Sequence, residues 1–230
     1  MRSRSFLASL AVFALWSTAA GQTPKDLYCP EPDWDYGEVG IDFDIYHVFK
    51  LVNASPKPIH LDSVQAPCDC SWVKISDSTL QPGDTCLITL KFSTKDFYGK
   101  TTKVVEVHWQ DPRPRFTQMT YSATVGQFFG GVKPEPVYLF FLPAHTARKL
   151  AVSNPKLPHV KLTDIEMYGD FVAVKQVKSE ATAGQSLELE ITVRPSLKAG
   201  TYVGNMRLNI AVDGEKRPLL ITIPIKIVRY

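Results

Sequence analysis

Residues 42–51 read Asp42-Phe43-Asp44-Ile45-Tyr46-His47-Val48-Phe49-Lys50-Leu51. Phe43, Ile45, His47, Phe49 and Leu51 fall on one side, and Asp42, Asp44, Tyr46, Val48 and Lys50 on the other. That is the two-residue period of a half-buried strand, in which successive side chains point to opposite faces. Leu87-Ile-Thr-Leu-Lys-Phe92, Val104-Val-Glu-Val-His-Trp109 and Met119-Thr-Tyr-Ser-Ala-Thr-Val125 carry the same β-branched and aromatic enrichment. Turn signals separate them: Asn53 to Pro58, Gln81-Pro-Gly-Asp84, Tyr98-Gly99 and Asp111-Pro-Arg-Pro114. No long window sustains a helical period with caps. Many short strands at regular spacing predict an all-β sandwich rather than a βαβ fold.

The pattern then repeats at an offset of 101 residues. Gly83 in Pro-Gly-Asp-Thr corresponds to Gly184 in Ala-Gly-Gln-Ser, and Gly99 to Gly200. Asn53 corresponds to Asn154, Leu61 to Leu162, Val64 to Ile165, Leu90 to Ile191, Phe92 to Val193 and Val107 to Leu208. A gap-free offset through turns and apolar positions predicts two tandem immunoglobulin-like β-sandwich domains rather than one large barrel. The 230 residues suit two such units, each large enough to bury a core without a disulfide framework. The paired glycines Gly130-Gly131, leading into Lys-Pro-Glu-Pro136, place the boundary between residues 22–129 and residues 132–230. So short a linker holds the two units close, with modest bending between them.

The first 21 residues read differently. Arg2 and Arg4 precede an apolar run from Phe6 to Trp16, and small residues follow from Ser17 to Gly21. This is the order of a secretory signal peptide, with cleavage after Ala20 or Gly21. An uncleaved anchor is the competing reading, but the run is short of the roughly 20 residues a membrane span requires. Loss of Arg2 and Arg4 lowers the formal charge from +3 to +1. A near-neutral chain lacks the basic field of a nucleic-acid binder, so no nucleic-acid partner is expected. With 44% hydrophobic and 21% charged residues, the composition also excludes a disordered chain, a collagen-like repeat and a multi-span membrane protein. The expected location is extracytoplasmic, periplasmic or secreted, with no integral span after cleavage.

Several elements of the first half fall in a familiar order: Tyr36-Gly-Glu-Val39, Leu51-Val-Asn53, Cys68-Asp-Cys70 and Leu80-Gln-Pro-Gly83. Phe92-Ser-Thr94, Tyr98-Gly-Lys100 and Trp109-Gln-Asp-Pro112 follow. From Leu27 to Val125 the chain resembles the bacterial secreted domain-of-unknown-function 1573 family. That resemblance implies a seven-stranded immunoglobulin-like sandwich, similar to Hydin-type and major-sperm-protein domains. It implies a fold rather than an activity. From Val132 onward the frame is shared, but Tyr168-Gly-Asp-Phe171 stands where the first half has Pro67-Cys-Asp-Cys70. Whatever the cysteine triplet does belongs to the first half.

All four cysteines, Cys29, Cys68, Cys70 and Cys86, precede the repeat. In an oxidising compartment they allow two disulfides in three connectivities. Alternate strand residues are badly spaced for a bridge, so joining Cys68 to Cys70 needs a turn. The spacing favours Cys68 or Cys70 bonded to Cys86, with Cys29 taking the other or staying free. Such a staple closes a loop of 16–18 residues and contributes about 3 kcal/mol. The alternative chemistry is a soft metal such as copper on Cys68 and Cys70, with His47 or His60 added, or a thiol-redox role with Lys74 as the nearby cation. A bare Cys-x-Cys lacks the ligand count of a recognisable metal site.

No Gly-x-Ser-x-Gly elbow, phosphate loop or His-Glu-x-x-His helix is present in the sequence, and no enzyme is expected. Asp33, Asp35, Glu38, Asp42 and Asp44 read as a solvated acidic edge that discourages strand association. Asn53-Ala-Ser55 fits the glycosylation pattern, but Asn154 precedes Pro155, so the shared role of the two asparagines is a turn. Trp34, Tyr36, Phe128 and Phe129 are expected at the sandwich ends or between the halves. The leading expectation is a non-catalytic interaction or scaffold protein that binds a cell-envelope protein through loops or an open sheet edge. The candidate surfaces are Cys68 to Trp72 and the Pro-rich loop from Asp111 to Phe116, with Trp72, Arg113, Arg115 and Phe116 as contact residues.

Overall fold

The structure, a computed structural model, describes residues 26–110 and 113–230. The expected signal peptide and residues 111–112 lie outside the described residues. The described residues are all-β, with one short 3-10 turn among them at Phe129–Gly131. The first nine strands are β1 (Leu27–Tyr28), β2 (Asp33–Val39), β3 (Asp44–Asn53), β4 (Ile59–Gln65), β5 (Ser71–Ile75), β6 (Thr79–Leu80), β7 (Thr85–Ser93), β8 (Gly99–Gln110) and β9 (Pro114–Val125). The next nine are β10 (Lys133–Glu135), β11 (Leu139–Phe141), β12 (Ala147–Asn154), β13 (His159–Tyr168), β14 (Val172–Lys178), β15 (Glu180–Thr182), β16 (Gln185–Val193), β17 (Gly200–Val212) and β18 (Leu219–Arg229).

One face of the first half is the sheet β1-β3-β7-β5, and the facing layer runs β2-β9-β8-β4-β6. This is the immunoglobulin layout, with one four-stranded sheet packed on a sheet built around the last strands. The second half repeats it as β10-β12-β16-β14 and β11-β18-β17-β13-β15. Buried apolar residues form two clusters, one spanning Leu27 to Val125 and one spanning Val132 to Ile227. The alternation that predicts β3 is realised: Ile45, Phe49 and Leu51 have at most 1% exposure and line the first core.

The 101-residue offset holds in individual hydrogen bonds, with one acceptor slipped by a single residue. Asn53 and Asn154 are fully buried. The Asn53 Nδ2 donates to the carbonyls of Lys57 and Leu80, and the Asn154 Nδ2 to those of Leu157 and Ala181. Gly83 N–H donates to Asn53 C=O at 2.8 Å, and Gly184 N–H to Asn154 C=O at 2.7 Å. A buried amide that satisfies otherwise orphaned carbonyls explains why asparagine recurs there. Both β4 and β13 shift register between matching residues, Leu61/Ser63 and Leu162/Asp164.

The second layers of the two halves join into one ten-stranded sheet, because β18 pairs in parallel with β2 at Ile221 and Glu38. Gly37 permits this approach. Its φ is +70°, and a Cβ there would lie 2.2 Å from Leu220 O. Tyr46 N–H donates to Asn205 Oδ1 at 2.6 Å and Thr222 Oγ1 to Tyr36 C=O at 2.5 Å. The expectation of two units bending about a short linker thus meets a junction laced by side chains and backbone.

Candidate interaction groove

The predicted contact residues Arg115 and Phe116 come together with the N-terminal segment. The sequence suggested a loop from Asp111 to Phe116. Instead β9 begins at Pro114, and Trp109 faces Arg115 and His108 faces Phe116 across the β8–β9 ladder. Proline is tolerated as the first residue of a strand, so Pro114 opens β9 opposite Gln110. Arg113 is exposed at the tip and Phe116 is 59% exposed. Arg115 forms an ion pair with Asp26.

On its other side, β9 is only partly covered. β2 pairs with it in parallel from Thr120 to Val125, starting where Thr120 N–H donates to Pro32 C=O at 2.7 Å. Among the described residues no strand pairs with residues 114–119 on that side. Because backbone groups alternate along a strand, Phe116 and Gln118 point their N–H and C=O groups the same way as Thr120, into the open lane. Six residues present an edge of about 20 Å.

The lane opens onto a groove of about 860 Å³ walled by Leu27, Tyr28, Cys29, Pro30 and Pro32 opposite Arg115 to Gln118. Trp109 also lines it, is 4% exposed, and has a buried indole N–H with no acceptor among the described residues. An unpaired row of backbone groups beside exposed Phe116 defines a surface suited to a polypeptide strand. Tyr28, Pro30, Trp109 and Gln118 were not singled out in the sequence. Their shared wall arises from β1 and the segment leading into β2 on one side and from the end of β8 and the start of β9 on the other, which lie far apart along the chain.

The cysteines are arranged otherwise than expected. Cys68 and Cys70 are bonded to each other with Cα atoms 5.1 Å apart, and neither is joined to Cys86. The turn such a bridge needs is present: Ser71 N–H donates to Cys68 C=O at 3.0 Å. Cys86 is a buried thiol at the start of β7 that donates to Asp77 C=O, and Cys29 is a half-buried thiol that donates to Glu31 C=O. Burial pushes the Cys29 thiol pKa up. A ring of three residues contributes about 1.6 kcal/mol of loop entropy, against about 3 kcal/mol for the staple expected from spacing. Trp72 is 51% exposed beside this turn, on a face separate from the β9 groove.

The two histidines proposed as extra metal ligands have other partners. His60 Nδ1 lies 3.0 Å from Thr79 Oγ1. The His47 ring stacks on Trp34 with centroids 3.7 Å apart, and burial with Arg207 nearby lowers its pKa to about 3. Lys74 lies on the edge strand β5, pairing with Thr89. Among the described residues, no group of three or more His, Cys, Asp or Glu is positioned to hold a metal ion.

Nor is the acidic cluster a uniformly solvated edge. Glu38 is 8% exposed and accepts from Phe129 N–H at 2.7 Å, and burial raises its pKa to about 7. Asp35 Oδ1 caps Gly37 N–H and Asp44 pairs with Lys91. Of the aromatic residues, Tyr36 is in the first core, Trp34 lies at the junction, Phe128 packs on the second core and Phe129 is 47% exposed.

Residues 29–125 match the family described as protein of unknown function DUF1573. The DUF1573 segment contains the Cys68–Cys70 pair and nearly all of the β9 groove. No curated protein matches the chain. Among solved structures, a protein of unknown function from Porphyromonas gingivalis W83 is 14% identical, with 89% of this chain and 100% of that one covered and a TM-score of 0.39. The ASH/PapD-like domain 7 of human CEP192 is 10% identical over 51% of this chain and 99% of that one, with a TM-score of 0.36. The E. coli chaperone DraB is 10% identical over 84% and 94%, with a TM-score of 0.35. Among the described residues, no helix is long and apolar enough to cross a membrane.

Proposed function

We propose that this is a non-catalytic interaction or scaffold protein of the periplasm or extracellular space, built from two immunoglobulin-like units spanning residues 22–129 and 132–230. It binds an envelope protein by taking an extended segment of that partner as an added strand along β9. The observation that carries this reading is the open edge of residues 114–119. A row of unpaired backbone donors and acceptors is complementary to another backbone, so a polypeptide strand fits it best. The extracytoplasmic location is supported by the basic, apolar and small-residue order of the first 21 residues.

The test uses a proline placed by parity. Phe116→Pro removes a donor that faces the lane and leaves the hydrogen bonds to β8 in place, whereas Phe116→Ala keeps the donor. Mature wild-type protein is expected to retain an envelope protein that Phe116→Pro loses by at least tenfold and Phe116→Ala retains in part. Equal capture by all three folded proteins overturns the reading.

A further inference from the structure

The internal repeat supplies a control for the Cys68–Cys70 bond. At the matching place the second half has Gly169-Asp170-Phe171, and it reaches the next strand without sulfur. Ser93 N–H donates to Cys70 C=O at 2.8 Å in the first half, and Arg194 N–H to Phe171 C=O at 2.9 Å in the second. The Phe171 ring covers Gly169 so closely that a Cβ there would lie 2.1 Å from it. The second half thus packs a ring where the first half has the S–S bond. The hydrogen bond that ties this segment to the neighbouring strand therefore forms without the S–S bond, which also closes too small a ring to constrain the unfolded chain strongly.

The surroundings of the bond are those of a reactive pair. Cys68 and Cys70 are half-buried. Cys70 lines an open hollow of about 610 Å³ with Tyr46, Asp69, Trp72 and Lys91. Ser71 Oγ lies 3.7 Å from Cys68 Sγ and 3.6 Å from Cys70 Sγ, and it also contacts the Tyr121 hydroxyl. Tyr121 is 1% exposed, and burial raises its pKa, so it keeps its proton. With the Tyr121 O–H donating to Ser71, the Ser71 O–H is left to donate to sulfur. A hydroxyl aimed at a sulfur stabilises the thiolate that forms when the bond opens.

We propose that Cys68–Cys70 is a thiol–disulfide exchange site that accepts electrons from a dithiol on a partner protein. A thiolate of the dithiol attacks Cys70 Sγ from the hollow. The Cys68–Cys70 bond breaks, and its electron pair passes to Cys68 Sγ, held by the Ser71 hydroxyl. The dithiol's second thiolate then attacks its own sulfur in the mixed disulfide and expels Cys70. The partner leaves as a disulfide, and Cys68 and Cys70 take up two protons as thiols. This exchange is independent of the β9 groove, since Trp72 and Cys70 lie on the face formed by β3, β5 and β7.

The experiment uses dithiothreitol as the dithiol and the mature chain under native conditions, with alkylation and mass spectrometry as the readout. Cys68 and Cys70 are expected to become alkylated together, at a rate unaffected by low urea, while the folded circular-dichroism spectrum is retained. Ser71→Ala is expected to slow reduction about tenfold, and Cys68→Ser to trap Cys70 as a mixed disulfide with oxidised glutathione. Reduction that occurs only as the protein unfolds overturns the proposal. So does a Ser71→Ala variant that folds and is reduced at the wild-type rate.

Discussion

Replacing Arg207 by alanine tests how the two halves are held together. The Arg207 guanidinium lies 3.5 Å over the Trp34 ring, which also stacks on His47 and meets Tyr36 edge-on. Arg207 also forms a forked pair with Glu166 at 2.6 and 2.8 Å and donates to the Asp35 carbonyl. A desolvated cation–π contact contributes about 2 kcal/mol. The side chain of Arg207 is 11% exposed but that of Glu166 is 36% exposed. The ion pair is therefore discounted to about 1 kcal/mol, well below a fully buried pair. The unsatisfied Arg207 Nε offsets part of this, because its desolvation is relieved on truncation. The net expectation is a loss of about 2–3 kcal/mol, or a drop in Tm of roughly 4–12 °C for a chain of this size. Thermal unfolding followed by both far-ultraviolet circular dichroism and tryptophan fluorescence gives the number. A double-mutant cycle with Trp34→Leu isolates the contact, with an expected coupling of about 1–2 kcal/mol. A coupling below about 0.3 kcal/mol refutes the reasoning.

Other consequences are equally open to measurement. Gly37→Ala forces a side chain against Leu220 at positive φ, so it is expected to lower Tm more than Gly83→Ala, where a Cβ meets nothing within 4 Å. Both glycines have positive φ, so the difference reports the close approach. Glu38 has a folded pKa of about 7, raised above its unfolded value, so its contribution is full below pH 4.5 and is lost as pH rises through 7. Glu38→Gln is expected to match wild type at pH 4 and to exceed it at pH 8 by about 3 kcal/mol in urea titrations; a constant difference across pH contradicts this. His47 has the opposite sign. With its folded pKa lowered to about 3, its stabilisation is present above pH 6.5 and is lost as pH falls toward 3. His47→Phe is expected to flatten that acid limb, and an unchanged limb contradicts the assignment.

The strands and their repetition were legible because they rest on local chemistry. Alternation marks Ile45, Phe49 and Leu51, and the turns need Asn53, Gly83 and their counterparts 101 residues on. The junction was not legible: Trp34, His47, Glu166 and Arg207 meet only because β18 pairs with β2 across most of the chain length. Glu38 read as a surface acid for the same reason, since its burial comes from that pairing and from Phe129. The Cys68–Cys70 bond was hidden by treating the triplet as strand, when a turn at Cys68–Ser71 brings the two sulfurs to one side. Arg115 and Phe116 were picked out as contact residues, but for a loop. The prolines on either side of Arg113 concealed that β9 starts at Pro114, and with it the open edge.

That edge is tested most directly by residue-resolved amide exchange in β9, measured by NMR on the mature chain alone and bound to its captured partner. In the free chain Phe116 and Gln118 are predicted to exchange rapidly, while Arg115 and Thr117 are held by β8. In the complex Phe116 and Gln118 are predicted to slow by at least tenfold. If those two amides are already protected in the free chain, or exchange equally fast when the partner is bound, strand addition along β9 is wrong.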